Sequence, residues 1–156
     1  MILGIDPGVR KLGYALIESD LNIVDSGILL LDQKSPSRDD QFNRIVEIYD
    51  FFEDLIKKYK VKIMSIEKLF FTKFNQSNAE FVYGIRGALI MLCLKNGINI
   101  KEYTPIQLKK TITGNGKADK KIVQNFIMKL YGLKNIPKYH DAADALGLAY
   151  IVSKIK

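Results

Sequence analysis

Two periods of apolar residues divide this chain. Short apolar runs bounded by turn-forming residues come first: Met1–Asp6, which ends at the turn signal Asp6-Pro7-Gly8, then Lys11–Glu18 and Asn22–Leu31. They read as three strands with hairpin connections. The period then lengthens. Ser37 and Asp40 stand at capping-box spacing, and Phe42, Ile45, Val46, Tyr49, Phe52 and Ile56 follow at helical intervals. Val61–Glu67 is continuously apolar after Lys62, as expected of a central strand covered on both faces. After a loop over Lys68–Gln76, the spacing predicts a helix from about Ser77 to Asn96, stopped by Gly97. Ile98–Tyr103 is a further strand, and Thr104-Pro105 opens a helix, with Pro at its first position. The chain breaks at Thr113–Gly116. Asp119–Tyr131 is amphipathic through Ile122, Val123, Phe126, Ile127 and Leu130, and a last helix begins near His140, beyond Pro137.

The order is β-β-β-α-β-α-β-α-α-α. Three strands followed by alternating helices and strands predict an α/β protein with a mixed five-stranded sheet and helices on both faces. The 156 residues fit a single domain, residues 1–156, with room for a core that needs neither disulfide nor structural metal. Cys93 is the only cysteine and lies in an apolar stretch, so it reads as a core thiol in a reducing compartment. No run of apolar residues is long enough to span a bilayer, and Asp6 arrives too early for a signal peptide. The expectation is a cytosolic protein with no membrane partner.

Charge narrows the partner. Residues 101–138 carry nine lysines against Glu102 and Asp119, an excess of seven that equals the formal charge of the whole chain, +7. Local positive charge of this kind suits a phosphate backbone, though on charge alone a solvated lysine-rich surface is an equal reading.

Candidate chemistry comes from four acids. Asp6 ends an apolar strand, where its side chain projects from the sheet; Asp is also a good turn opener. Glu67 ends another apolar strand, although Glu is a poor strand former. Asp141 and Asp144 share a face of the last helix and are surrounded by small residues that allow close packing. The helix dipole favours Asp141 in the first turn more than Asp144. Brought together, four carboxylates would repel unless divalent cations neutralised them. Hard oxygen ligands suit Mg²⁺ or Mn²⁺, and paired ions serve phosphodiester hydrolysis. No zinc cluster, catalytic cysteine or Ser-His-Asp set competes. His140 adjoins Asp141 as a possible ligand or proton acceptor, or simply as a polar residue at the helix start.

Four ordered blocks give a resemblance that covers nearly the whole chain. Gly4-Ile5-Asp6-Pro7-Gly8-Val9-Arg10 with Gly13-Tyr14 is the first, and Ile66-Glu67-Lys68-Leu69-Phe70-Phe71 with Gly84 to Ala88 is the second. Glu102-Tyr103, Gln107, Lys109, Thr111, Gly114, Gly116, Ala118 and Lys120 form the third, and His140-Asp141-Ala142-Ala143-Asp144-Ala145-Leu146 the last. Together they resemble the RuvC family of Holliday junction resolvases. The resemblance implies an RNase H-like fold, a homodimer, and two symmetric Mg²⁺-dependent cuts in a four-way DNA junction. It implies Asp6, Glu67, Asp141 and Asp144 as metal-binding catalytic residues, and leaves open whether His140 or Asp141 does more at the second ion. Phe70 matches an aromatic that reaches the junction bases, and Phe71 is equally placed by spacing. Lys109 and Lys120 match lysines near the substrate; Lys73, Lys110, Lys117 and Lys121 are further phosphate candidates. The RuvA–RuvB branch migration complex is an implied partner. Dimerisation is expected partly through the helix after the second block, by way of Gly84, Ile85, Gly87, Ala88, Leu89 and Leu92, which can also pack on the chain's own sheet.

Three other readings compete. One is an RNase H-like nuclease acting on RNA or simpler branched DNA. Another is an actin-like nucleotide-binding domain, which also opens with a strand, an acid and a Gly turn. The third is a junction binder without catalysis, which needs the lysines and Phe70 but not four carboxylates.

Overall fold

The computed structural model describes residues 1–8, 10–31, 37–69, 76–135 and 140–154. Val9, the expected loop aromatics Phe70 and Phe71, Lys73, and Pro137 lie outside the described residues. The first apolar run forms β1 (Ile2–Pro7), the middle strand of a five-stranded sheet ordered β3-β2-β1-β4-β5. β2 (Lys11–Ile17) pairs antiparallel with β1, bringing Gly13 beside Asp6, and β3 (Ile23–Leu30) pairs antiparallel with β2. On the other side, β4 (Ile63–Glu67) runs parallel to β1, and β5 (Asn99–Tyr103) runs parallel to β4. The expected mixed sheet is present, and the apolar run before Glu67 lies inside it. Parallel pairing of β1 and β4 has a direct consequence: Asp6 and Glu67 emerge at the same end of the sheet.

Both faces are covered, as expected for α/β packing. On one face lie α1 (Arg38–Tyr59) and α2 (Gln76–Lys95), burying Phe52, Leu55, Ile85, Leu89 and Leu92 against Leu3, Ile5, Met64 and Ile66. The capping box is formed: the Ser37 side chain accepts from the Asp40 backbone while the Asp40 carboxylate accepts from the Ser37 backbone. Asp serves here in the place usually held by Glu or Gln. On the other face α5 (His140–Lys154) crosses the sheet, with α3 (Pro105–Thr113) and α4 (Lys120–Tyr131) packed against it. Ala145, Leu148, Ala149, Leu108, Val123 and Ile127 form this second core cluster with Ile2, Ala15 and Ile17.

Close contact between α5 and the sheet depends on two glycines. A Cβ at Gly13 would lie 2.0 Å from the Asp141 carbonyl oxygen, and one at Gly4 would lie 2.1 Å from that of Ala145. Both obstacles are backbone atoms, so no side-chain rotation relieves them. Hydrogen at these positions lets the helix carrying Asp141 and Asp144 lie directly on the strand bearing Asp6 and on its neighbour.

Helix α2 divides the residues expected at a dimer interface. Ile85, Leu89 and Leu92 are buried in the chain's own core, and Gly84 sits against Ile45 of α1. The outward stripe is instead Tyr83, Gly87, Met91 and Leu94; the three apolar side chains are about half exposed or more, and a Cβ at Gly87 would meet open space. Of the expected residues only Gly87 belongs to this stripe; because the helix is apolar nearly all round, spacing alone did not separate its inward face from its outward one.

Candidate active site

Asp6, Glu67, Asp141 and Asp144 meet in a cleft of about 270 Å³ at the end of the sheet. Three elements deliver them. Asp6 and Glu67 come from adjacent parallel strands, and the two aspartates come from the first turns of α5. Pro105, Leu108 and Val123 form apolar walls, while Lys109 and Lys120 line the remaining side.

Electrostatics follow from this crowding. Asp6 is 8% exposed, and its carboxyl is held well above the usual range, first by burial and then by a side-chain hydrogen bond with Glu67 and the charges of Glu67, Asp144 and Asp141. Burial likewise pushes Asp144 up to about 6, reinforced by Glu67 and Asp141 and opposed by Lys120 and Lys109. The raised Asp6 carboxyl reflects the cost of holding this many negative charges together in a buried place.

The same donors fit a divalent cation. All are carboxylate oxygens, hard ligands of the kind Mg²⁺ and Mn²⁺ take, and a cation would remove the desolvation and repulsion that now favour protons. Among the described residues no group of three such side chains already closes on one point at ligand spacing. The carboxylates surround the cleft rather than clasp its centre.

Helix capping adds positive potential. Thr104 accepts from Gln107 at the start of α3, and Asp119 accepts from Ile122 at the start of α4. Pro105 and Lys120, the first helical residues, line the cleft, as do Asp141 and Asp144 in the opening turns of α5. Three helix N-termini thus face one acidic site, and their dipoles favour anions there, whether carboxylate or phosphate.

The remaining expected residues divide. Lys110, Lys117 and Lys121 are exposed on α3, on the connection to α4, and on α4, without lining the cleft. His140 is exposed and does not line it either. Its Nδ1 is 2.6 Å from Nε2 of the buried Gln124. With the amide nitrogen turned to the ring, Nδ1 accepts from Gln124. Of this adjacent pair, Asp141 is the member that lines the cleft.

Two contributors escaped the sequence reading. The apolar walls lie in helices whose inward faces gave no chemical signal. Arg86 of α2 is 7% exposed; it donates to the Glu67 carbonyl at 2.8 Å and pairs with Glu102 of β5. A signal existed: Arg86 interrupts the buried helical stripe Val82, Leu89, Cys93, where an unpaired charge would be costly.

The model of the family described as crossover junction endodeoxyribonuclease RuvC matches residues 2–152 of this chain. The chain belongs to the RuvC family. A RuvC of Caldicellulosiruptor saccharolyticus is 38% identical over 152 residues, covering 95% of this chain and 89% of that protein. A RuvC of Fusobacterium nucleatum is 40% identical over 150 residues, covering 94% and 76%. The fold is also that of solved RuvC structures. Thermus thermophilus RuvC superposes with a TM-score of 0.79 at 22% identity, covering 95% of this chain and 89% of that one. The same protein in complex with Holliday junction substrate gives 0.81 at 23%, covering 95% and 88%. Membership makes the chain a hydrolase of the crossover junction endodeoxyribonuclease type and excludes the actin-like nucleotide-binding reading and the purely structural junction binder. Among the described residues, no helix is long and apolar enough to cross a membrane.

Proposed function

We propose that this chain, acting as one nuclease domain per subunit of a homodimer, resolves four-way DNA junctions by paired symmetric nicks. The single supporting observation is the meeting of Asp6, Glu67, Asp141 and Asp144 in one cleft that Lys109 and Lys120 flank. Two Mg²⁺ ions, or Mn²⁺ in their place, would be held by these carboxylates and would supply charge neutralisation and water activation.

The chain's own residues supply position and selectivity. Asp6 is paired with Gly13 of β2 and Glu67 with Tyr103 of β5, each one residue past the Ile5–Ile66 pair that joins their strands, so their spacing is set by the sheet rather than by loops. Apolar walls at Pro105, Leu108 and Val123 exclude water from one side of the cleft. Lys109 and Lys120 would hold the phosphate oxygens, and Lys73, Lys110, Lys117 and Lys121 would extend that contact along the backbone. Water adds at phosphorus, the scissile P–O bond breaks, and the departing oxygen takes up a proton. Phe70 or Phe71, on the segment after Glu67, would stack on an unpaired base at the junction. His140 would orient the start of α5 through Gln124 rather than bind an ion.

A two-fold pair of such sites accounts for two cuts in one junction. The outward stripe of α2 is the surface we assign to the partner subunit. Sedimentation equilibrium is expected to give the mass of two chains; a monomer at micromolar concentration would remove the dimer. The RuvA–RuvB complex is the partner proposed to deliver the junction, tested by co-sedimentation with that complex on junction DNA.

The direct test compares cleavage of synthetic four-way junctions, linear duplex and RNA–DNA hybrid, with and without Mg²⁺. Junction cleavage is expected to dominate, to need the metal, and to disappear in Asp6→Asn while junction binding persists. Equal cleavage of all three substrates, or activity in Asp6→Asn, overturns the assignment.

A further inference from the structure

We infer that Arg86 is the positioning residue for Glu67, acting from the opposite face of the sheet and held by a half-buried ion pair with Glu102. The β1–β4 ladder ends at Ile66, one residue short of Glu67. At that point Arg86 Nη1 donates to the Glu67 carbonyl at 2.8 Å, while Nη2 pairs with the Glu102 carboxylate. The next backbone amide, Lys68 N, donates to the Tyr103 carbonyl at 2.8 Å. Arg86 and Tyr103 of β5 thus hold the two ends of a single peptide group, Glu67–Lys68, at the end of β4, just before the segment bearing Phe70 and Phe71.

Geometry separates this role from catalysis. Ile66 belongs to the core under α1 and α2, so by alternation along the strand Glu67 presents its side chain to the other face, where α5 lies. Arg86 comes from α2, and its hydrogen bond to Glu67 is to the main-chain carbonyl. It can fix where the carboxylate originates without neutralising it. Glu102 neutralises the guanidinium instead, so no net positive charge is added behind the cleft. The guanidinium reaches the two acceptors from two separate nitrogens fixed in one plane, whereas a lysine ammonium is a single donor centre that would have to lie within reach of both. Partners of this kind behind a metal ligand are worth about 10–100-fold in affinity or activity.

The proposal rests on the reading of Glu67 as a metal ligand, and its test separates the two. Arg86→Lys and Glu102→Gln are compared with wild type and with Leu89→Ala, an apolar core substitution in the same helix. Each protein is measured for single-turnover junction cleavage, junction affinity without metal, and the rise in melting temperature produced by Mn²⁺ alone. For Arg86→Lys we expect cleavage slowed about tenfold or more, unchanged junction affinity, and a Mn²⁺ concentration for half of the thermal shift raised about tenfold. Glu102→Gln should show the same pattern more weakly. Leu89→Ala should lower the melting temperature without moving the Mn²⁺ midpoint. If Arg86→Lys keeps the wild-type Mn²⁺ midpoint, or loses cleavage only alongside stability as Leu89→Ala does, Arg86 is a structural residue and the proposal fails. If wild type shows a Mn²⁺ shift that Glu67→Gln leaves unaltered, the ligand reading itself fails, and that result is distinct from the first.

Discussion

Asp144 shows how one side chain couples the cleft to stability. Its carboxyl is raised from 3.8 to about 6, mainly by burial. Between those values the folded protein holds a proton that the unfolded chain has released. Ion-free stability therefore falls as pH rises through that window, and the loss is complete above it. Asp144→Asn removes the charge without changing the shape. In chelator at about pH 7.5 the variant should be more stable than wild type by about 2 kcal/mol, a rise of several degrees in melting temperature. At about pH 4 the two should melt together, because wild-type Asp144 is then largely protonated. Thermal melts at both pH values check this, and a pH-independent difference would contradict the burial argument. The thiol of Cys93 provides a contrast: burial beneath the sheet pushes it up to about 12, so it is a core residue with no reactive role.

At the scale of elements, the contact of α5 with β1 and β2 controls the site, since one helix supplies two of the four carboxylates. Gly13→Ala would drive a methyl group into the Asp141 backbone. We expect a cost of at least about 2 kcal/mol and a displaced α5, with cleavage falling further than the loss of folded protein explains. The same substitution at Gly87, where the added methyl meets no atom of its own subunit, should leave α5 and the cleft in place, any effect falling on association through the outward stripe. Melting temperature and single-turnover cleavage of the two variants make the comparison. Equal behaviour would show that the approach of α5 does not depend on Gly13. Helix α4 makes a related point. Its Asp119 cap accepts from Ile122 at 2.8 Å and so fixes the first helical residue, Lys120, at the cleft.

For the whole molecule, the governing feature is the segregation of charge. The lysine excess belongs to residues 101–138, the stretch that runs through β5, α3 and α4, and two of its members, Lys109 and Lys120, line the cleft. A cation-lined approach beside an acidic centre draws in the DNA backbone yet keeps the carboxylates available for metal. Lys109→Ala or Lys120→Ala should weaken junction binding and reduce the log–log salt slope by about 1 each. Lys62→Ala, at the start of β4 and the opposite end of the sheet, should leave the slope unchanged. Titrations from about 50 to 200 mM salt measure the slopes. Identical slopes for all three variants would remove Lys109 and Lys120 from the interface.

The one-dimensional pattern was sufficient for the order of strands and helices, for the capping box at Ser37, for the helix start at Thr104 and for the four acids, because each depends on near neighbours. Period two against period 3.6, a Ser three residues before its capping partner, and an acid closing an apolar run are all local signals. The resemblance then tied the acids to one family. Three matters required the chain to be folded. Helix α2 is apolar nearly all round, so only packing could divide Leu89 from Met91. His140 stands next to Asp141 in sequence, yet its ring is held by Gln124, sixteen residues away on another helix. Arg86 reads as an odd charge in an apolar stretch until the sheet places Glu67 and Glu102 beside it. Sequence decides which groups exist and which local shape each segment prefers. Tertiary structure decides which groups meet, because contacts across a sheet join residues whose separation along the chain carries no periodic trace.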